Sequence, residues 1–231
     1  VLCLEFHSKM NTIGFETIQM INEGFKVMQE NFVGMVIGNQ GPNFSAGADL
    51  MLILVKAEDQ KWNEIENMIS TFQLANMKIK YSAMPVVVAP FGLTLGGGCE
   101  IALHAARQQA AAETYMGLVE LGVGLIPAAG GSKEMVLRSM EKSETIDQFL
   151  PHLQKSFETI VMAKISTSGL EAQKMGFMRL KDSISMNPEH LIADAKKQVL
   201  YLVREGYQKP KPPKRVFGLG RPALSNLKVG M

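Results

Sequence analysis

Two carboxylates stand where the sequence carries few other charges. Glu100 follows Gly96-Gly97-Gly98-Cys99, and Glu120 lies 20 residues later in the otherwise uncharged, glycine-rich segment 117–131. Such surroundings are unsuited to a solvated face, and partial burial would raise the Glu120 pKa toward neutrality and suit it to donate a proton. Glu100 has two readings: a first-turn carboxylate balancing a helix dipole, or an acid/base group beside an anion hole. The case for the second comes from a repeated design. Val36-Ile37 runs through a turn into Phe44-Ser45-Ala46-Gly47-Ala48-Asp49-Leu50, and Val86-Val87-Val88 runs through Gly92 to Gly98 into Cys99-Glu100. Each is an apolar strand, a glycine turn and a helix start. Glycines let the backbone approach a ligand, and the first N–H groups of a helix have no intrahelical partner. Such donors favour an anion or a developing oxyanion. The spacing matches neither Gly-x-x-x-x-Gly-Lys-Ser/Thr nor a first-unit Gly-x-Gly-x-x-Gly, so the backbone donors point to a carbonyl oxygen before a phosphate. Spacing alone leaves a packing role open.

The elements that must hold these groups are legible by periodicity. Val1 to Phe6 suits a strand, and Ile18, Ile21, Phe25 and Met28 form a helical stripe. Val33 to Gly38 and Pro85 to Pro90 read as buried strands. Between them, Trp62, Ile65, Ile69, Phe72, Ala75 and Ile79 form a second helical stripe. Gly92 to Gly98 reads as a loop and Cys99 to Arg107 as a helix. Asn187-Pro188 opens a last helix, with Ile192, Ala195, Val199 and Leu202 as its apolar stripe and Gly206 at its end. Strands alternate with helices, so the class is α/β.

Composition narrows the partners. The net charge of +2 offers no excess for nucleic acid or an anionic membrane, and no apolar run approaches the roughly 20 residues of a membrane span. Cys3 and Cys99 make neither a disulfide framework nor a zinc site, which suits a reducing cytosol; no metal site is expected. His7, His104, His152 and His190 lack metal spacing or a nucleophile partner and read as structural or surface residues. The 16 methionines read as core filling before they read as a flexible acyl pocket. Residue 1 is Val, with no secretory signal before the first apolar run, as expected of a piece of a longer chain. Residues 207–231, with Lys209-Pro210-Lys211-Pro212-Pro213, read as a solvated tail or linker after a domain spanning 1–206.

Three segments go beyond spacing. Phe44 to Leu50, Gly96 to Leu103 and Gly124 to Gly131 closely resemble the crotonase (enoyl-CoA hydratase/isomerase) superfamily, and the step from Glu100 to Glu120 resembles its hydratase branch. Lys9-Met10-Asn11 and Ala172 to Met178 are similar to flanking family motifs, so the likeness covers roughly residues 1 to 205. The resemblance implies a crotonase-like ββα superhelix (spiral). It implies that the N–H groups of Ala48 and Gly97 form an oxyanion hole for an acyl-CoA thioester. It further implies that Glu100 and Glu120 hold a water, Glu120 delivering the proton at C2. Lys9, Ala46, Asp49, Leu50 and Ala128 would contact the CoA or acyl parts, with no cofactor beyond the CoA carried by the substrate. The chain departs from the family in having Val119 where Pro is common, Ala105-Ala106-Arg107 after the catalytic helix, and about a dozen extra residues between Ser139 and Phe157, near the usual acyl-tail region. With the family's terminal helices unrecognisable after Gly206, the chain resembles the hydratase part of a bifunctional hydratase/3-hydroxyacyl-CoA dehydrogenase of fatty-acid β-oxidation. A dehydrogenase domain in the full-length chain and a homo-oligomer are the implied partners. Two rivals to hydration stand: Δ3-Δ2-enoyl-CoA isomerisation, and a non-catalytic acyl-CoA-binding or interaction domain.

Overall fold

The computed structural model describes residues 1–216 and 218–229. Strand β1 (Leu2–Leu4) is followed by helix α1 (Phe15–Asn31), which carries the chain back so that β2 (Met35–Gly38) lies parallel to β1, Leu2 opposite Met35. The stripe Ile18, Ile21, Phe25 and Met28 is buried, as its spacing predicts. Helices α2 (Leu50–Glu58) and α3 (Trp62–Lys80) then lead to β3 (Val86–Ala89), parallel to β2. All residues of β2 and β3 are buried. That is why these strands read as unbroken apolar runs: a parallel sheet is covered on both faces.

The chain continues through β4 (Gly92–Leu95), α4 (Gly97–His104), β5 (Arg107–Ala111), β6 (Thr114–Gly117), α5 (Gly131–Glu141), α6 (Ile146–Val161), α7 (Gly169–Met175), β7 (Ser183–Ser185), α8 (Leu191–Arg204) and α9 (Gly220–Val229). Five strands form one sheet in the order β1-β2-β3-β5-β7, and β4 pairs with β6 in a second. Helix α8 seals one face of the large sheet, with Leu191, Ala195, Val199 and Leu202 against Val36, Val87, Ala89 and Ala111. The opposite face carries the larger core, in which Ile37 and Val88 join Ile21, Ile79 and Ile101. Each such side chain contributes roughly 1.5–3 kcal/mol on burial.

Several expectations change. Gly92 to Leu95 is a strand where a loop was expected, and the helix after it stops at His104 because Arg107 to Ala111 is β5. Only the C-terminal half of the α3 stripe is core: Phe72, Ala75 and Ile79 are buried, whereas Trp62 is 61% exposed. Residues 139–157 end α5 and build α6, which packs on α5; none of them lines the site cavity described below. In the segment 207–231, residues 208–213 have no regular structure and Gly220–Val229 is helical, resting on α6. Phe217, Gly230 and Met231 of that segment lie outside the described residues.

Candidate active site

The two glycine turns meet because the chain after β2 runs beside β4 as a further parallel strand. Ser45 N–H donates to Leu93 O at 3.0 Å, and Leu95 N–H donates to Ser45 O at 3.0 Å. This ladder sets Gly47 against Leu95 and Gly97. Two of the turn's glycines are there of necessity. Gly96 has φ +50°, a conformation few side chains tolerate, and a Cβ there would approach Glu120 Oε1 at 3.2 Å. At Gly98 a Cβ would lie 2.7 Å from the Ser45 Cβ, too close for the ladder to survive.

Ala48 and Gly97 both line a cavity of about 560 Å³ between α2 and α3 on one side and residues 119–129 on the other. Gly97 is the first residue of α4, and neither its N–H nor that of Ala48 has an acceptor among the described residues. Glu100 and Glu120 share the same wall with the apolar Ile53, Ile69, Phe72, Val119 and Leu125. Ala46, Asp49, Leu50 and Ala128 line it as well. The Asp49 side chain caps α2, its Oδ1 accepting from Met51 N (3.1 Å) and Leu52 N (3.3 Å). Lys9 is not on the wall; it sits on an exposed turn whose next residue, Met10, accepts a hydrogen bond from Ala46 N. The cation on the wall is Lys56 of α2, paired with Glu64.

Burial governs both carboxyls. Glu100 is 3% exposed, and desolvation followed by repulsion from Glu120 raises its pKa to about 8, against the pull of the Gly131 and Ala129 N–H groups. The Gly131 N–H donates to Glu100 Oε1 at 2.8 Å, so the first residue of α5 fixes that oxygen. The Glu120 pKa is also raised by burial, and its Oε2 is buried with no hydrogen-bond partner. Two carboxyls that repel beside apolar side chains are easier to ionise one at a time than together.

The loop that carries Gly131 to Glu100 is held by residues that sequence reading missed. From α3, Gln73 Nε2 donates to Ala128 O (2.6 Å) and Asn76 Nδ2 to Ala129 O (2.9 Å). Asn76 is fully buried beside Ala75, and a polar residue on a buried helix face is the signal that could have found it. His104, read as structural, bonds the Glu100 main chain through Nδ1 (2.6 Å to Glu100 O), and burial lowers its pKa to about 4. A neutral ring then donates from Nδ1, leaving Nε2 to accept from Lys133 Nζ at 3.2 Å. The ring packs on Gly130, where a Cβ would come within 2.8 Å of it. Next to it Glu134, fully buried, is gripped by Lys80 (2.6 and 2.7 Å) and Lys133 (3.2 Å).

Among the described residues, no group of three or more His, Cys, Asp or Glu could hold a metal, and no helix is long and apolar enough to cross a membrane. The enoyl-CoA hydratase/isomerase family matches residues 1–150. A Bacillus subtilis (strain 168) protein named "Probable 3-hydroxyacyl-CoA dehydrogenase" is 50% identical over 91% of this chain, which corresponds to 26% of that protein. The chain spans 18–26% of the length of three curated relatives it matches. Among solved structures, an enoyl-CoA hydratase from Polaromonas sp. JS666 superposes with a TM-score of 0.70 at 18% identity, covering 87% of this chain and 72% of that one. An enoyl-CoA hydratase from Bacillus anthracis gives 0.66 at 21%, covering 87% and 71%. At those identities the superpositions speak for the crotonase fold. With the family match over nearly two thirds of its length, the chain belongs to the enoyl-CoA hydratase/isomerase family, on the fold its three glycine-rich segments imply.

Proposed function

We propose that this domain adds water across trans-2-enoyl-CoA to give 3-hydroxyacyl-CoA. The observation that carries this reading is the pair of buried carboxyls, Glu100 and Glu120, on the wall of an apolar cavity beside two unpartnered N–H groups. In the reaction, the Ala48 and Gly97 N–H groups donate to the thioester oxygen as negative charge grows on it. One such donor is worth about 3–4 kcal/mol in the transition state. Glu100, held by Gly131, takes a proton from water as the oxygen bonds C3 and the C2–C3 π electrons move toward the thioester. Glu120 gives its proton to C2. One proton passing from Glu100 to Glu120 restores the pair. The addition is redox-neutral, so CoA enters as part of the substrate and no separate cofactor is required. Ala46, Asp49, Leu50 and Ala128, which line the cavity, would meet the CoA and acyl parts in this reading, and so would Lys9, the neighbour of the Met10 that bonds Ala46. The name of the Bacillus subtilis relative supports a dehydrogenase domain as partner in the full-length protein, which would consume the hydroxyacyl product.

The test is loss of the enoyl-thioester absorbance when the purified protein meets crotonyl-CoA. Hydration predicts turnover that depends on both glutamates. Turnover of a 3-enoyl-CoA that survives Glu120→Gln would instead favour isomerisation, and CoA binding without turnover a scaffold role.

A further inference from the structure

Helix α4 divides two cavities. Glu100 near its start faces the first, and His104 at its end lines a second, of about 650 Å³. This second cavity gathers five cations: Lys80, Arg107, Arg179, Lys181 and Lys211. Lys80 is taken up by Glu134 and Arg179 by Glu141, at 2.6 and 3.2 Å. The other carboxylate on the wall, Glu205, pairs with Arg204 at 3.4 Å. Arg107, Lys181 and Lys211 have no carboxylate partner among the described residues.

Two of these unpaired cations, Arg107 and Lys181, reach the cavity from the entry ends of neighbouring strands, β5 and β7. The register between β5 and β7 sets Gln109 opposite Ser183 and Ala110 opposite Ile184. One step back, Gln108 N–H donates to the Asp182 side chain, Oδ1, at 3.0 Å, which holds the two chain segments together just outside the ladder. Arg107 opens β5, Lys181 sits in the turn just before β7 that Asp182 N–H closes on Arg179 O, and both line this cavity. Burial lowers the Lys181 pKa, and repulsion from Arg107 and Arg179 lowers it further, with Asp182 and Glu141 opposing. Asp182 is itself committed to the Gln108 and Arg179 backbone N–H groups. Like charges gathered on one cavity wall repel unless an anion joins them. Arg107 spends one Nη1 donor on Ala106 O, which orients its guanidinium and leaves the rest of a fork suited to phosphate. The cavity is of small-ligand size, and Tyr81 and Tyr207 add aromatic wall to it.

We propose that this second cavity binds a small phosphate-bearing anion, with Arg107 and Lys181 as its principal charge partners. The site is separate from the acyl-CoA cavity and does not depend on the hydratase reading.

Calorimetric titration of the protein with inorganic pyrophosphate at low salt tests it. Saturable one-to-one binding is expected, weakened at least about tenfold in the Arg107→Gln/Lys181→Gln double variant and several-fold in Arg107→Lys, which keeps charge but loses the fork. Lys56→Gln, on the first cavity, should bind as the wild type does. Pyrophosphate should also protect Lys181 of the wild-type protein from acetylation, read by mass spectrometry, a measurement independent of how the variants fold. Absence of saturable binding, full affinity in the double variant, affinity lost in Lys56→Gln, or no protection of Lys181 would each overturn the proposal.

Discussion

Glu100 and Glu134 are both buried glutamates on the path between α4 and α5, yet their surroundings push them in opposite directions. Glu134 meets His104, Lys80 and Lys133, and these charges hold its pKa below the ordinary value despite burial. Glu100 meets another carboxyl and an apolar wall, and its pKa climbs to about 8. The contrast sets a carboxylate held by cations apart from one that exchanges a proton in the proposed reaction. Burial penalises the charged form of both; the neighbouring charges decide whether that is offset.

The sharpest way to break this comparison is to neutralise each carboxyl without changing its shape. Glu100→Gln and Glu120→Gln should each lower crotonyl-CoA turnover by about 10²–10⁴-fold. Glu134→Gln should act on stability instead. It leaves Lys80 and Lys133 facing an uncharged amide, and a loss of about 3–5 kcal/mol is expected in urea unfolding at constant slope. If Glu134→Gln left the urea midpoint in place, the assignment of this cluster as a fastener would fail.

The pH dependence sharpens the comparison with opposite slopes. Because the Glu100 pKa is raised in the fold, its contribution is fully present below the unfolded value near 4.5 and is lost as pH rises through about 8. Glu100→Gln should therefore gain about 1–3 kcal/mol over wild type at pH 8 and lose that advantage by pH 4.5. His104 tilts the other way. Its lowered pKa makes the neutral ring stabilising above pH 6.5, and that contribution is lost as pH falls through about 4. Glu134, also lowered, adds to the loss on the acid side. Urea midpoints measured from pH 4 to 9 check both slopes. The smallest effect is expected at Gln73→Ala, which removes one hydrogen bond from the Ala128 carbonyl: about 0.5–1.5 kcal/mol of stability and a several-fold loss of turnover.

What the sequence made legible follows the same division between local and distant causes. The α1 stripe and the apolar runs of β2 and β3 were readable because periodicity and β-branching state their own burial. The glycine turns and both glutamates were readable because their chemistry sits in short segments. Strand β4 was not: Gly92-Leu93-Thr94-Leu95 has weak strand propensity, and its identity comes from pairing with Thr114 to Gly117. Strand β5 hid behind polar residues. Gln108 and Gln109 are buried, and their amides donate to Phe177 O and Ser185 Oγ, partners about 70 residues away. The exposed half of α3 followed the helical period, but period alone does not distinguish a core stripe from the wall of a cavity. Gln73 and Asn76 escaped notice because their roles pass through backbone atoms of a loop that no motif marks.

Every strand pairing among the described residues is parallel. No ladder can begin as a hairpin, and each must wait for a crossover to close. The first pairing joins Leu2 to Met35, and the last joins Gln109 to Ser183. Chain topology of this kind makes folding slow at a given stability, because loop-closure entropy is spent before the distant contacts reward it. The edge strand β7 is the one to watch in refolding. It completes the sheet across the longest separation, so intermediates lacking it would expose the β5 edge to association with other chains.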